Sequence, residues 1–218
     1  MKHIAVVLSG CGHLDGSEIT ESVSALIALA QNKTQYSVFA PHLSYTPVNH
    51  NTGEPSTSSS PRSAIEESAR IARGSVFELK TLDEKKFDGL LFPGGFGAAT
   101  HLSNWSQRGA QAQVHPEVQR VIQAFYQSSK PIGAICIAPT LIAKVLGSHS
   151  VSLTIGNNKE IAEEIKKTGA KHIECPVDDF ITDRLNKIIT TPAYMYNTTP
   201  DKVFTGISGL VKELVEMA

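Results

Sequence analysis

Short, uninterrupted apolar runs alternate with longer amphipathic stretches along most of this chain, and that order restricts the fold more than any other feature. Residues 4–8 (IAVVL) form a continuous, β-branched run that ends at Ser9, which is typical of a strand buried on both faces. In the stretch that follows, apolar residues recur at helical spacing and predict a helix over 17–31: Ile19, Val23, Leu26, Ile27 and Ala30. Strands and helices alternating in this way predict an α/β sandwich, with a mostly parallel sheet and helices on both faces.

The same criteria predict the remaining elements. Near the C-terminus, 187–190 is expected to be the return arm of a small β-hairpin, whose first arm is cut short by Asp183 and Arg184. The segment 41–62, with four prolines and a serine-rich tract, is interpreted as a surface excursion, and 96–114 as a long functional or mobile loop. Further strands are expected at about 36–40, 87–92, 131–135, 151–154 and 171–174, and further helices at 116–128, 138–146, 158–168 and 200–217.

Length, composition and charge set the broad class. A chain of 218 residues fits one domain, 1–218, and 41% hydrophobic with 19% charged residues fits a globular chain rather than a disordered one. Twenty basic and twenty-one acidic residues leave a net charge of -1 without a basic run, so no nucleic-acid partner is expected. The longest uncharged, apolar-leaning stretch, 131–143, contains two prolines and falls short of the ~18 residues of a membrane span, so no membrane partner is expected.

Cysteine usage depends on the compartment. The apolar run 4–8 is too short for the core of a secretory leader, so a reducing cytoplasm is the expected location. Each of the three cysteines then has to be explained by packing or reactivity rather than by a disulfide. Cys175, which precedes Pro176, is interpreted as structural.

The sharpest chemical feature is Cys136, where a predicted strand runs straight into a predicted helix. Pro139 stands in the first turn of that helix, where its missing N–H costs nothing. This is the layout of a nucleophile elbow, and the small neighbours Ala134 and Ala138 allow a tight turn. A helix N-terminus behind the sulfur favours the reactive thiolate. A small buried core cysteine is the alternative, but the carboxyl end of a parallel sheet favours the nucleophile.

Three further groups are candidates beside Cys136. Gly94 and Gly95 follow another strand, and their N–H groups can join that of Ile137 in an oxyanion hole, with a simple strand-ending turn as the alternative. Glu18, in the first turn of the helix 17–31, is a candidate general acid or base, with capping of the helix dipole as the alternative. Cys11 is expected on the same face of the sheet, as a pocket wall rather than a redox partner, since no C-x-x-C is formed.

Several common sites are excluded by spacing. Gly10, Gly12 and Gly16 follow the first strand, but they are one residue too far apart for a dinucleotide-binding fingerprint. The histidines show no metal-ligand spacing, so no metal is predicted. His115 is similar to the histidine of an amidotransferase triad, but it precedes the cysteine and is followed by Pro116 at a helix start.

Cys136 in an A-I-C-x-A-P turn, the P-G-G-F-G loop at 93–97 and Glu18 after the first strand together resemble the ThiJ/PfpI superfamily, which shares the class I amidotransferase-like fold. Over nearly the whole chain, longer motifs resemble the ElbB subfamily, named for enhanced lycopene biosynthesis and described as isoprenoid-biosynthesis proteins with an amidotransferase-like domain. These motifs are SGCG (9–12), DGSEI (15–19), PGGFGAA (93–99), LSN (102–104), LTIG (153–156), CPVDD (175–179) and TTPAYM (190–195).

The resemblance implies a flavodoxin-like three-layer sandwich that forms a homodimer. It also implies a glyoxalase III-like hydro-lyase that needs no cofactor and converts glyoxal, or methylglyoxal, to the 2-hydroxy acid through a cysteine hemithioacetal. Cys136 would be the nucleophile, and Glu18 would be the protonated carboxyl that hydrogen-bonds its thiolate. Gly95 and Ile137 would hold the oxyanion of the small aldehyde substrate.

One departure from the superfamily bears on function. Many members place a histidine on the strand after the elbow helix, near 154–156 here, and this chain has none at those positions. A protease or amidase needs a base for the leaving amine, so that activity is disfavoured. Two alternatives stay open: a deglycase or weak hydrolase that uses Cys136, and a redox-sensing or partner-binding protein with a reactive cysteine.

Overall fold

The computed structural model describes residues 1–56 and 58–218. Its strands are β1 (His3–Val7), β2 (Gln35–Ala40), β3 (Ser44–Tyr45), β4 (Arg62–Ser63), β5 (Phe77–Glu78), β6 (Gly89–Phe92), β7 (Ile132–Ile135), β8 (Ser152–Leu153), β9 (Lys171–His172), β10 (Ile181–Asp183) and β11 (Ile188–Thr191). Its helices are α1 (Ile19–Gln31), α2 (Ala64–Ala72), α3 (Phe96–Thr100), α4 (Trp105–Arg108), α5 (Pro116–Gln127), α6 (Pro139–Leu146), α7 (Lys159–Lys167) and α8 (Pro200–Met217).

One seven-stranded sheet organises the molecule, in the order β10-β11-β7-β6-β1-β2-β5. All neighbouring strands are parallel except β10 and β11, which pair antiparallel. The predicted parallel sheet and C-terminal hairpin are therefore confirmed. Asp183, expected to end the first arm, lies within β10 and accepts a hydrogen bond from the Ser152 N–H at 2.7 Å. The predicted strands β8 and β9 pair with each other in a separate two-stranded sheet.

Side chains alternate across the sheet and create two apolar layers. On β1, Ile4 and Val6 face one core cluster, whereas Ala5 and Val7 face the other. Helices α1, α2 and α8 cover the first face, and α3 to α7 cover the second. The result is the predicted flavodoxin-like three-layer sandwich. Within the described ranges, no helix combines the length and the apolar character that crossing a membrane requires.

Helix α1 turns a different face to the core from the one that its apolar residues suggest. Ile19 is 50% exposed, Val23 38% and Ile27 44%, so the largest β-branched side chains of the helix face outward. The buried face instead carries small and polar residues: Glu21, Ser22, Ser24, Ala25, Ala28 and, as its one large apolar member, Leu29. The apolar spacing correctly predicted a helix, but it did not indicate which face is buried.

Both segments interpreted as loops contain regular structure. The segment 96–114 holds α3, α4 and a short 3-10 turn, and it buries Leu102 and Trp105 in the core cluster on the second face of the sheet. The expectation that this segment is a long loop was therefore wrong, because its mostly small, uncharged residues form short helices without an amphipathic pattern. In the other segment, 41–62, β3 pairs with β4, and the N–H of Val48 donates to Asp15 Oδ2 at 2.7 Å. The described part of this excursion is thus tied to the loop after β1.

Candidate active site

Cys136 occupies the turn between β7 and α6, as the sequence predicted. Its φ of +63° lies in the left-handed region, which costs a non-glycine residue about 1–3 kcal/mol and persists only where the surroundings impose it. The Cys136 N–H donates to the Thr191 carbonyl at 2.9 Å, and the Ala138 N–H donates to the Ile135 carbonyl at 3.0 Å. Pro139 begins α6 directly afterwards. The strand–turn–helix geometry of a nucleophile elbow is therefore present.

Two backbone N–H groups point at the sulfur of Cys136. They belong to Gly95 and Ile137, and their hydrogen bonds lower the pKa of the thiol. Burial raises that pKa more strongly, followed by the negative charge of Glu21, so the net shift is well upward. The two donors are those that the sequence assigned to an oxyanion hole, and the structure brings them together with Cys136.

Gly94 and Gly95 have to be glycines because neighbouring atoms approach both residues too closely for a side chain. A Cβ on Gly94 would overlap the Cβ of Cys136 and Oε2 of Glu21, so only glycine fits between those two side chains. Gly95 has a φ of +101°, and a Cβ there would overlap the backbone of Gly16 and Glu18. The N–H of Glu18 also donates to the Gly94 carbonyl at 2.9 Å. These contacts hold the start of α1 against the loop that carries the donor.

Glu21 is the carboxyl that faces Cys136. It lies in the first turn of α1, is fully buried, and its Oε1 accepts a hydrogen bond from the Tyr194 N–H at 3.2 Å. Among the described residues, Oε2 has no donor at ordinary hydrogen-bond geometry. The Cys136 thiol and the Gly94 N–H both interact with the Glu21 carboxyl, and each lowers its pKa. Burial, followed by the negative charge of Glu18, raises the pKa of Glu21 to about 8. At neutral pH Glu21 is therefore mainly a neutral acid able to donate a hydrogen bond to a thiolate.

The predicted hydrogen bond between Glu18 and Cys136 is thus made by Glu21 instead. Glu18 is the N-cap of α1, and its Oε2 accepts a hydrogen bond from the Glu21 N–H at 2.6 Å. That is the capping arrangement which the sequence left open as the alternative. Glu18 is half-buried and lines the base of the cleft above Cys136. A sequence signal for Glu21 did exist, because it is in helical phase with Ala25 and Ala28.

Cys11 does not line the cleft that contains Cys136, so the interpretation as a wall of that pocket was wrong. It is half-buried beside the core under α1 and α8, and burial followed by the charge of Glu67 raises its pKa. The loop after β1 turns it toward α2, away from the cleft. Cys175 is buried, in keeping with the structural interpretation.

The cleft above Cys136 has a volume of about 690 Å³ and opens to solvent. Helices α4 and α7, the start of α3 and the turn after β11 form its walls, while Cys136, Ile137, Gly95 and Glu18 line its base. His13, from the loop after β1, is a lining residue that the sequence did not single out. His115 does not line it, and instead caps α5 by accepting a hydrogen bond from the Glu117 N–H at 3.3 Å. This confirms the interpretation of His115 as a helix start.

The family model named DJ-1/PfpI matches residues 14–193, which include Glu18, Glu21, the glycine loop and the elbow. The chain belongs to the DJ-1/PfpI family. This agrees with the resemblance to the ThiJ/PfpI superfamily at the level of the family.

Similarity to known proteins extends over nearly the whole chain. Human glutamine amidotransferase-like class 1 domain-containing protein 3, mitochondrial, is 41% identical over 224 residues, covering 98% of this chain and 82% of the relative. The ES1 protein, mitochondrial, of Danio rerio is 32% identical, covering 99% and 86%. The crystal structure of an isoprenoid biosynthesis protein with amidotransferase-like domain from Ehrlichia chaffeensis is 35% identical, with a TM-score of 0.92 and coverage of 100% and 99%. Drosophila melanogaster DJ-1beta, at 17% identity and a TM-score of 0.55, shares the fold.

In this member of the DJ-1/PfpI family, the site combines a strained cysteine, a buried acid and two N–H donors at the base of a cleft. At neutral pH both groups mainly hold their protons, because burial raises the pKa of each. Loss of one of the two protons gives either a thiol with a carboxylate or a thiolate with a carboxylic acid, and these two forms carry the same total charge. The N–H groups of Gly95 and Ile137 favour the thiolate form. The arrangement is suited to attack on an electrophilic carbon followed by local proton transfer.

Proposed function

We propose that this protein is a glyoxalase that needs no cofactor and converts glyoxal, or methylglyoxal, to the 2-hydroxy acid. The observation that carries the proposal is the pairing of Cys136, on an elbow, with Glu21, a buried carboxyl whose pKa is raised to about 8. A carboxyl with such a pKa can give and take a proton at neutral pH.

The reaction follows from these positions. The Cys136 thiolate adds to one aldehyde carbon of glyoxal, and the oxygen, held by the N–H groups of Gly95 and Ile137, takes the proton of Glu21 to give a hemithioacetal. The Glu21 carboxylate then removes the proton from that carbon, and the enediol formed is reprotonated at the neighbouring carbon. The first carbon is oxidised and the second is reduced, leaving a thioester. Water cleaves the thioester, releasing glycolate and the Cys136 thiol.

Activity of matched carboxyl variants tests the proposal. We expect glyoxal turnover to be lost in Cys136→Ala and to fall at least 100-fold in Glu21→Gln, the usual scale for loss of a proton-transferring group. Glu18→Gln removes the negative charge at the helix cap, keeps an oxygen that can accept the Glu21 N–H, and leaves the acid at the sulfur in place, so it should keep most of the wild-type kcat. Equal losses in Glu18→Gln and Glu21→Gln would contradict the assignment of Glu21, and full activity in Cys136→Ala would contradict the proposed function.

The other enzymatic alternative, a deglycase or weak hydrolase, uses the same Cys136. It predicts turnover of glycated substrates at rates that free glyoxal does not reach. The non-enzymatic alternative, a redox-sensing or partner-binding protein, predicts selective sulfenic or sulfinic acid at Cys136 after mild peroxide, with negligible turnover of either substrate. Mass spectrometry of peroxide-treated protein, run beside the glyoxal assay, separates the three.

A homodimer is proposed on the outward face of α1. Ile19, Val23 and Ile27 recur every four residues and form an exposed apolar stripe, which a second copy would cover. Light scattering should give a dimeric mass for wild type and a lower mass for Ile27→Asp, with Ile173→Asp, an exposed residue outside the stripe, as the control.

Location and pathway remain predictions. The human and zebrafish relatives are named as mitochondrial proteins, so the expected cytoplasmic location competes with a mitochondrial one. A role connected with isoprenoid biosynthesis is proposed from the name of the Ehrlichia chaffeensis protein and from the ElbB-like motifs.

A further inference from the structure

The cleft above Cys136 is much larger than glyoxal. Glyoxal has four non-hydrogen atoms, which fill at most about 120 Å³ if each takes the ~30 Å³ of a water molecule in the liquid. The cleft has about 690 Å³, within the range of roughly 300–1,000 Å³ typical of sites for larger organic ligands. A two-carbon aldehyde bound at the sulfur would leave most of this space to water.

The unused space has apolar walls. Trp105 of α4 and Ile161 of α7 line it together with Met195 from the turn after β11 and Phe96 from the start of α3. Trp105 is buried, so its position is fixed by the core, whereas Phe96 is 52% exposed at the edge of the cleft. A ligand that extends from Cys136 along these walls would remove apolar surface from water, which glyoxal cannot do.

The charges at the cleft disfavour an anionic ligand. The side chains of Glu18, Glu160 and Glu164 line it, against one guanidinium, that of Arg108. Glu164 is already engaged, since its Oε2 accepts a hydrogen bond from the Ala110 N–H at 2.8 Å and its Oε1 pairs with Lys167 at 2.5 Å. Glu18 and Glu160 still leave an excess of negative charge around the entering ligand. A substrate that carries a phosphate or carboxylate would be repelled.

From the size, walls and charges of this cleft we propose that the substrate is a 2-oxoaldehyde with a neutral, apolar body about the size of a six-membered ring. This inference rests on the proposed function and specifies its substrate class. The chemistry is unchanged: the Cys136 thiolate adds to the aldehyde carbon, that carbon is oxidised, the neighbouring ketone carbon is reduced, and water releases an apolar 2-hydroxy acid. The ring lies between Trp105 and Ile161, away from the proton-transfer site.

Comparison of substrates tests this class. Initial rates are measured with glyoxal, methylglyoxal, phenylglyoxal and 4-carboxyphenylglyoxal, each divided by its rate of addition to a free thiol to remove intrinsic reactivity. We expect the corrected kcat/KM of phenylglyoxal to exceed that of glyoxal at least tenfold, and the carboxylated ring to lose at least tenfold against phenylglyoxal. Ile161→Ala should lower the ratio of phenylglyoxal to glyoxal tenfold or more, whereas Ile173→Ala, outside the cleft, should leave the ratio unchanged.

Binding gives an independent readout, since Trp105 is the only tryptophan of the chain and lines the cleft. In Cys136→Ala, cyclohexyl hydroxymethyl ketone should change the fluorescence saturably, and glycolaldehyde at the same concentration should not. Corrected kcat/KM values for glyoxal equal to or above those for phenylglyoxal would overturn the substrate class while leaving the proposed function intact. No turnover of any of the four aldehydes would overturn the proposed function together with the substrate class. An unchanged fluorescence would overturn the binding mode.

Discussion

Replacement of Glu21 by Gln should change how the stability of the protein depends on pH. Glu21 is fully buried, and its pKa is raised from 4.5 to about 8 by burial and by the charge of Glu18. In the unfolded chain the carboxyl releases its proton near pH 4.5, whereas in the folded chain it keeps it to about pH 8. Between these values the folded state binds one proton more than the unfolded state, so the free energy of unfolding falls as the pH rises.

The size of the effect follows from the shift. At 1.36 kcal/mol per pKa unit, a shift from 4.5 to about 8 corresponds to about 5 kcal/mol as an upper value. The stabilisation relative to an ionised group is fully present below pH 4.5 and is lost as the pH rises through about 8. Glutamine stays neutral throughout, so the stability of Glu21→Gln minus that of wild type should increase by about 1.4 kcal/mol per pH unit between pH 5 and 7.5.

Urea denaturation of both proteins at pH 5, 6, 7 and 7.5 measures this difference. A constant offset, from the different hydrogen bonding of the amide, does not affect the slope. Glu160→Gln, an exposed carboxyl at the same cleft, is the matched control and should differ from wild type by the same amount at each pH. Parallel curves for Glu21→Gln and wild type would refute the argument, because they would mean that Glu21 is already ionised at neutral pH in the folded protein.

Two further substitutions test the packing around the site and the core. Gly95→Ala should destabilise the protein by at least about 2–3 kcal/mol in urea denaturation, because φ is +101° and a Cβ would overlap backbone atoms. Gly53→Ala, with a φ of +76° but no atom within 4 Å, should cost only about 1 kcal/mol, and equal costs would contradict the argument from overlap. Phe125 of α5 is fully buried, so Phe125→Ala should lower the free energy of unfolding by about 3–5 kcal/mol. Leu185 is 92% exposed, so Leu185→Ala, the control, should change it by no more than about 0.5 kcal/mol. A small loss of stability in Phe125→Ala would mean that the core refills the cavity.

The sheet could be predicted because its strands are continuous apolar runs with few other interpretations. The strands β1, β6 and β7 are buried on both faces, so almost every residue in them is apolar and the run itself marks the strand. The helix α2 was missed for the opposite reason. Its nine residues include Glu66, Glu67 and Arg70, and only Ala64 and Ile71 are buried apolar side chains, which is too few for a recognisable period. The two-residue strand β5 depends on pairing with β2 rather than on its own composition.

The part of the site that depends on the backbone, the turn at Cys136, could be predicted from the sequence. The part that depends on the rotation of α1 about its axis, the identity of the buried acid, could not. A strand that ends in a cysteine and continues as a helix requires the turn at Cys136, whatever surrounds it. The choice between Glu18 and Glu21 depends on which face of α1 meets the core, and the only local sign of that face is the helical phase of Glu21 with the small residues Ala25 and Ala28. The apolar residues even indicated the wrong face, because Ile19, Val23 and Ile27 point outward.

The rotation of α1 about its axis affects both the proposed chemistry and the proposed homodimer. If this helix were turned so that Ile19 and Val23 entered the core, more apolar surface would be buried and Glu21 would return to water. Apolar burial and the hydration of the carboxyl both favour that arrangement over the observed one. The observed rotation is permitted by the small residues Ala25 and Ala28, which let α1 pack closely against α8 and the sheet. The close packing brings the Glu21 carboxyl to Cys136 and, at the same time, leaves the isoleucines uncovered. A helix that carries a buried acid on one side and an apolar stripe on the other recovers stability when a second copy covers the stripe. A stable dimer would therefore help to offset the cost of keeping Glu21 buried beside the cysteine.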